Sequence, residues 1–174
     1  MDGRTWLASS HPTPDTVITQ WEQPPHIAQI PCGNTFQALR LPQMLGLTLL
    51  WELDQAAEEI PVLEQHSRPK PWIYVLAHPR TRQAWKRRIL PPRVTLLAGG
   101  DTLWAPCPDA DAITGVRQHH TYLWRTPPAD DSHLADPDHL AEALENALDP
   151  RWQAARVRAA RAAFYIGRHR TDNN

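Results

Sequence analysis

Between Pro31 and Gln43 the sequence reads PCGNTFQALRLPQ: a glycine turn, an apolar strand-like run and a proline that stops it. A strand end of this kind is a common place to present catalytic side chains, yet the polar positions along the run are Gln37 and Arg40, not carboxylates. Other reactive residue types are scattered. His78 follows an apolar run and precedes Pro79, where an imidazole could be displayed for proton transfer, although a turn partner at a strand end is the simpler reading. Asp101 closes a Gly-Gly-Asp turn. Cys32 and Cys107 are too few for a disulfide framework and read as buried structural thiols. With His119 and His120 they show neither CxxC nor HxxxH spacing, so no metal site and no cofactor is expected. An enzyme with an altered site would have to gather Asp101 and His78 with Cys32 or Cys107 in one cleft. The phosphate-cradling, dinucleotide-binding and nucleophile-elbow motifs are absent.

Phosphate binding has two candidate sources. In RTRQAWKRR, Arg82, Lys86, Arg87 and Arg88 surround Trp85, a mixture of charge and stacking ring that suits single-stranded nucleic acid. The simpler reading is a solvated basic face with Trp85 turned into the core. Near the C-terminus Arg151, Arg158, Arg161 and Arg168 share one side of a helical pattern, opposite Ala155, Ala159, Ala162 and Ala163. Between Ala129 and Asp149 lie seven carboxylates and no Lys or Arg, so the acidic segment is the nearest partner for that basic face.

The elements that must position these residues are short. Thr13 as N-cap, Pro14 at the first position and Val17, Ile18 and Trp21 on one side predict a helix over TPDTVITQWEQ, ended by Pro24-Pro25. HIAQIPCG and NTFQALRL read as strands. From Pro42 to about Glu59, Leu45, Leu49, Leu53 and Ala56 recur at helical spacing, with Met44 and Trp51 beside them. PWIYVLAH is the best strand; TRQAWKRRIL reads as a helix of about ten residues, and PRVTLLAGGDTLWAPC as a β-hairpin. HTYLWRT alternates so that Tyr122 and Trp124 share a face. Two helices finish the chain, one from Asp136 to Leu148 and one from about Pro150 to Ile166.

Composition bounds the rest. The 174 residues fit one domain, and 18 Lys+Arg against 19 Asp+Glu leave no global positive charge of the kind that advertises nucleic-acid binding. Eighteen prolines against seven glycines indicate short elements broken by rigid turns, and eight tryptophans supply core anchors. No apolar run approaches the roughly 20 residues that span a bilayer, and MDGRTWLASS has no export signal, so the expected location is the cytoplasm, with no membrane partner.

The order PCGNTFQALRLPQMLGLTLLWEL, WIYVLAHP, PRVTLLAGGDTLWAPCP, TYLWRTPP resembles the actinobacterial bifunctional DNA primase/polymerase-like proteins, related to the N-terminal prim-pol domain, over Trp6 to Pro128. The resemblance implies an α+β fold, a mixed or antiparallel sheet with packed helices at residues 1–128; the charge pattern, not the resemblance, adds an acidic-then-basic helical hairpin at 129–174 packed on the same domain. It equates the two acidic metal-binding positions with Gln37 and Arg40 and a histidine with Leu97, while Gly100, Asp101, Ala105 and Pro106 match. Nucleotidyl transfer needs carboxylates to hold divalent metal at the triphosphate; Gln37 offers a neutral oxygen and Arg40 repels a cation. The resulting expectation is a non-catalytic member of that family, a degenerate prim-pol frame acting as a protein-interaction or regulatory module. The alternatives are a nucleic-acid-binding accessory protein of DNA replication using the basic patches, and an enzyme with an altered site. Self-association through an edge strand or terminal helix is a further reading.

Overall fold

The computed structural model describes residues 2–67, 69–109, 121–129 and 133–151. Asp2 caps a first helix, α1 (Gly3–Ala8), its carboxylate accepting the Thr5 N–H at 2.7 Å. The second helix, α2 (Pro14–Glu22), starts with its proline and buries Val17 and Trp21 as expected, though the Thr13 side chain makes no cap bond. Strands β1 (Ile27–Pro31) and β2 (Gln37–Pro42) follow, then α3 (Gln43–Leu53). This last helix is shorter than its apolar spacing predicts: Asp54 adopts φ 50°, which closes the α-helix, and Asp54–Glu58 continue as a 3-10 turn. The remaining elements are β3 (Val62–Gln65), β4 (Trp72–Ala77), α4 (Thr81–Ala84), β5 (Thr95–Leu97), β6 (Thr102–Pro106), β7 (Tyr122–Thr126) and α5 (Pro137–Leu148).

All strand pairings are antiparallel, in a five-stranded sheet of order β5-β2-β4-β3-β7 and a two-stranded sheet β1-β6. The fold is α+β. One face of the larger sheet carries Leu39, Leu41, Val62, Ile73 and Val75 against α3 and α5; the other carries Ala38, Leu63, Leu76 and Trp124 against the small sheet and the first two helices. Period two along each strand sorts these residues to the two faces.

Two expectations are corrected. PRVTLLAGGDTLWAPC is not a hairpin: β5 pairs with β2 and β6 pairs with β1, so the Gly-Gly-Asp turn carries the chain from one sheet to the other. Gly100 supplies φ 95° for that turn, and Gly33 packs against it so closely that a Cβ on Gly33 would lie 2.9 Å from the Gly99 Cα. TRQAWKRRIL forms only the four residues of α4, because the buried Trp85 indole ties the next residue to the start of α5 and Pro91-Pro92 forbid a longer helix.

The Asp136 carboxylate accepts the Asp138 and His139 N–H groups ahead of Pro137, as the capping pattern predicts. Leu140, Ala141, Leu144 and Ala147 of α5 belong to the same core as α3, so the segment after residue 128 is integral up to Leu148. The second C-terminal helix, with Arg158, Arg161 and Arg168, lies beyond Arg151 and outside the described residues, as do His119 and His120. No helix among the described residues is long and apolar enough to cross a membrane.

Candidate functional site

Gln37 opens β2 and is 5% exposed. Its Nε2 donates to the Pro79 carbonyl at 2.5 Å and its Oε1 accepts the Arg82 N–H at 2.8 Å. Both ends of the amide are thereby committed to backbone, clamping the start of β2 to the turn after β4 and to α4. Arg40, three residues along the same strand, points the other way, because an odd spacing in a strand changes face. Its guanidinium carbon sits 4.5 Å from the centroid of Trp72, a residue packed on the small-sheet side, whereas Gln37 reaches toward α4. Gln37 and Arg40 therefore do not converge on one cation. Leu97 pairs in register with Ala38 and packs on the same side as Trp72.

Asp101 is occupied at the crossover turn. Its Oδ2 accepts the Ala98 N–H at 2.8 Å and lies 3.6 Å from the Arg82 guanidinium, while its backbone carbonyl accepts the Cys32 N–H at 2.9 Å. Gln37, Arg82, Asp101 and Cys32 are thus brought together at one end of the sheet. His78 stands at its own turn, its Nδ1 accepting the Arg80 N–H at 3.2 Å and its carbonyl accepting from Thr81. Burial pushes the Cys32 thiol up to about 12, with the Asp101 charge adding to it, and burial also raises Cys107. Both sulfurs are held as thiols at neutral pH, which removes the nucleophile from an altered cleft. Among the described residues no group of three His, Cys, Asp or Glu is placed to hold a metal ion.

The Cys32 shift has a measurable consequence. An unfolded thiol ionises near 9.0 while the folded one waits until about 12, so the unfolded state loses its proton first and stability falls across that window. Urea unfolding between pH 9 and pH 12 should show stability falling by on the order of 1 kcal/mol per pH unit from this group. Cys32→Ala should flatten the curve by that amount; an unchanged slope would contradict the assignment.

The basic run is largely engaged. Trp85 is 6% exposed, its Nε1 donating to the Pro137 carbonyl at 2.9 Å, so the ring anchors the core and is not a stacking platform. Arg88 lies 5.8 Å from the centroid of that ring and ion-pairs with Glu145; Arg82 pairs with Asp101 and donates to the Leu96 carbonyl at 3.3 Å. Lys86 and Arg87 are exposed, and Arg151, also exposed, donates its N–H to the Asp149 carboxylate at 2.8 Å.

Three features lay outside the sequence reading. α3 is mostly apolar, with Gln43, Thr48 and Glu52 its polar residues, and Met44 is 75% and Trp51 67% exposed on its outer side. Beside them an open hollow of about 470 Å³ is lined by Leu47, Leu50, Trp51, Ala57, Glu58 and Arg125. Glu64, on the unpredicted strand β3, is buried between Arg125 at 2.6 Å and His66 at 3.1 Å, which fixes Arg125 at the rim of that hollow. Arg93, at φ 69°, sets a second guanidinium 5.4 Å from the Trp72 centroid. The high apolar content of α3 is a usable signal, since large apolar side chains on a helix's outer side call for a cover; nothing local marks Glu64 or Arg93. Comparison with models of known protein families, with curated proteins and with solved structures finds no match.

Proposed function

We propose that the chain is a non-catalytic binding module on a prim-pol-like frame, whose partner is a protein helix seated on the outer side of α3. The observation that carries this reading is the exposure of Met44 and Trp51 on the outer side of α3, beside Thr48 and Glu52 and next to the hollow lined by Leu47, Leu50 and Ala57. Met44, Leu47 and Trp51 recur at i, i+3 and i+7, the spacing of a stripe against which a second helix packs. Arg125 at the rim is already paired with Glu64, while Glu58 has no ion-pair partner among the described residues. A fitting partner therefore carries apolar residues at helical spacing flanked by a Lys or Arg. The non-catalytic part of the reading is supported by the chemistry of Gln37 and Arg40, one amide used up by backbone and one cation, on opposite faces.

The test starts from the protein that co-purifies with the tagged chain in its native host, reconstituted with the pure chain. Hydrogen exchange on that complex should slow over residues 43–58, and Met44→Glu should weaken binding by at least about tenfold while leaving the circular dichroism unchanged. Slowed exchange confined to other elements, or full affinity in Met44→Glu, would refute the site. Co-purification of nucleic acid alone, with affinity falling steeply in salt, would favour the accessory-protein reading. Slowing over 43–58 in the unmixed chain as its concentration rises would name a second copy as the occupant.

A further inference from the structure

The part of the five-stranded sheet next to the small sheet is only partly covered. Ala38, Leu63 and Leu76 are buried, but the neighbouring positions Arg40, Thr95, Trp72 and Gln65 on the same side keep access to solvent. Two guanidiniums each lie over one indole there, Arg40 at 4.5 Å and Arg93 at 5.4 Å from the Trp72 centroid. Neither takes part in any ion pair among the described residues. Cation–π contact with one ring offsets the like charge of the two side chains but satisfies no N–H. The Arg40 Nε is buried and has no hydrogen-bond partner, an unfavourable state for a buried donor. The Tyr74 hydroxyl oxygen accepts from the Arg40 guanidinium and its O–H donates to Gln65 Oε1 at 2.7 Å, while Gln65 Nε2 donates to Ser67 at 3.0 Å, so Tyr74 engages one side of Arg40 and leaves its Nε without a partner.

We infer that Arg40 and Arg93 form a binding site for a phosphate-type oxyanion on this open part of the sheet. Paired guanidiniums without a carboxylate present more donors than a two-oxygen monoanion can accept, whereas a tetrahedral phosphate group with two charges matches both their number and their charge. Phosphate chemistry of this kind is offered by a free phosphate or nucleotide and by a nucleic-acid backbone. The site is independent of α3 and uses neither Lys86 nor Arg87.

Pyrophosphate is the probe. Titrated into full-length protein labelled at the arginine Nε positions, it should shift the Arg40 Nε–H resonance saturably, and calorimetry should give at least about tenfold weaker binding for Arg93→Gln and for Arg40→Met. Arg93 is exposed, so its variant keeps the test intact if Arg40→Met fails to fold; Lys86→Ala/Arg87→Ala should bind as the wild type. A single-stranded oligonucleotide that displaces pyrophosphate from Arg40 assigns the anion to a nucleic-acid backbone, and failure to displace it assigns a free phosphate. The inference is overturned if neither probe perturbs Arg40 saturably, or if Arg93→Gln binds as tightly as the wild type.

Discussion

Gln37→Glu is expected to destabilise the protein by about 3 kcal/mol without creating a metal site. The change is nearly isosteric, so size is not the issue. The Nε2 that donates to the Pro79 carbonyl becomes an oxygen facing an oxygen, in a position only 5% exposed, and the added charge is placed where water cannot reach it. Only the bond from the Arg82 N–H survives. Urea unfolding monitored by circular dichroism reads the loss directly, and manganese titration of the variant should show no new tight site because Arg40 remains on the far face of the strand. A Gln37→Glu protein as stable as the wild type that binds manganese tightly would mean that this end of the sheet retains the ligand geometry of a polymerase, and the non-catalytic reading would fall.

Trp85→Ala should cost about 3–5 kcal/mol, the range for removing a large buried aromatic side chain. The indole fills the core between α3, α4 and α5, and its N–H is the link that holds the turn after α4 to Pro137 at the start of α5. Trp85→Phe separates the two contributions: it keeps most of the ring and leaves the Pro137 carbonyl without its donor, for a loss of about 1–3 kcal/mol. Lys86→Ala and Arg87→Ala, two exposed neighbours in the same run, should stay within about 0.5 kcal/mol of the wild type. Thermal unfolding of the four variants decides the matter. A stable Trp85→Ala protein that lost affinity for single-stranded DNA would restore the ring to the surface role that RTRQAWKRR suggests.

Those two residues also show what the sequence made legible. Elements with a strong periodic signal lie where spacing puts them: Val17 and Trp21 face inward, Asp136 and Pro137 start α5, and Tyr122 and Trp124 share a face. Pairing is where local patterns gave out. A Gly-Gly-Asp turn between two apolar runs has the composition of a hairpin, but its strands are claimed by β2 and β1, partners distant in sequence. Strand β3 carries no readable strand signal, because four residues, one of them the charged Glu64, give alternation too short to recognise. At the site, the identities of Gln37 and Arg40 were plain from the start, and the physical statement that separates them was available too: once both are on one strand, three residues apart, they leave it on opposite sides. What no local pattern contains is that Arg93, with no marked neighbour, arrives at the same ring as Arg40.

The crossover at Asp101 bears on how the chain reaches its native state. The small sheet joins Ile27 to Pro106 and Pro31 to Thr102, contacts that enclose β2, β3, β4 and β5 between their two halves. Closing such a long loop is entropically unfavourable until the enclosed strands have condensed, so the β5-β2-β4-β3 part of the larger sheet is expected to form before the small sheet docks onto it. During synthesis β1 therefore emerges early and waits, apolar and unpaired, for a strand made some seventy residues later. Asp101, bonded to Ala98 within its own turn and to Cys32 at the end of β1, is the point at which that wait ends.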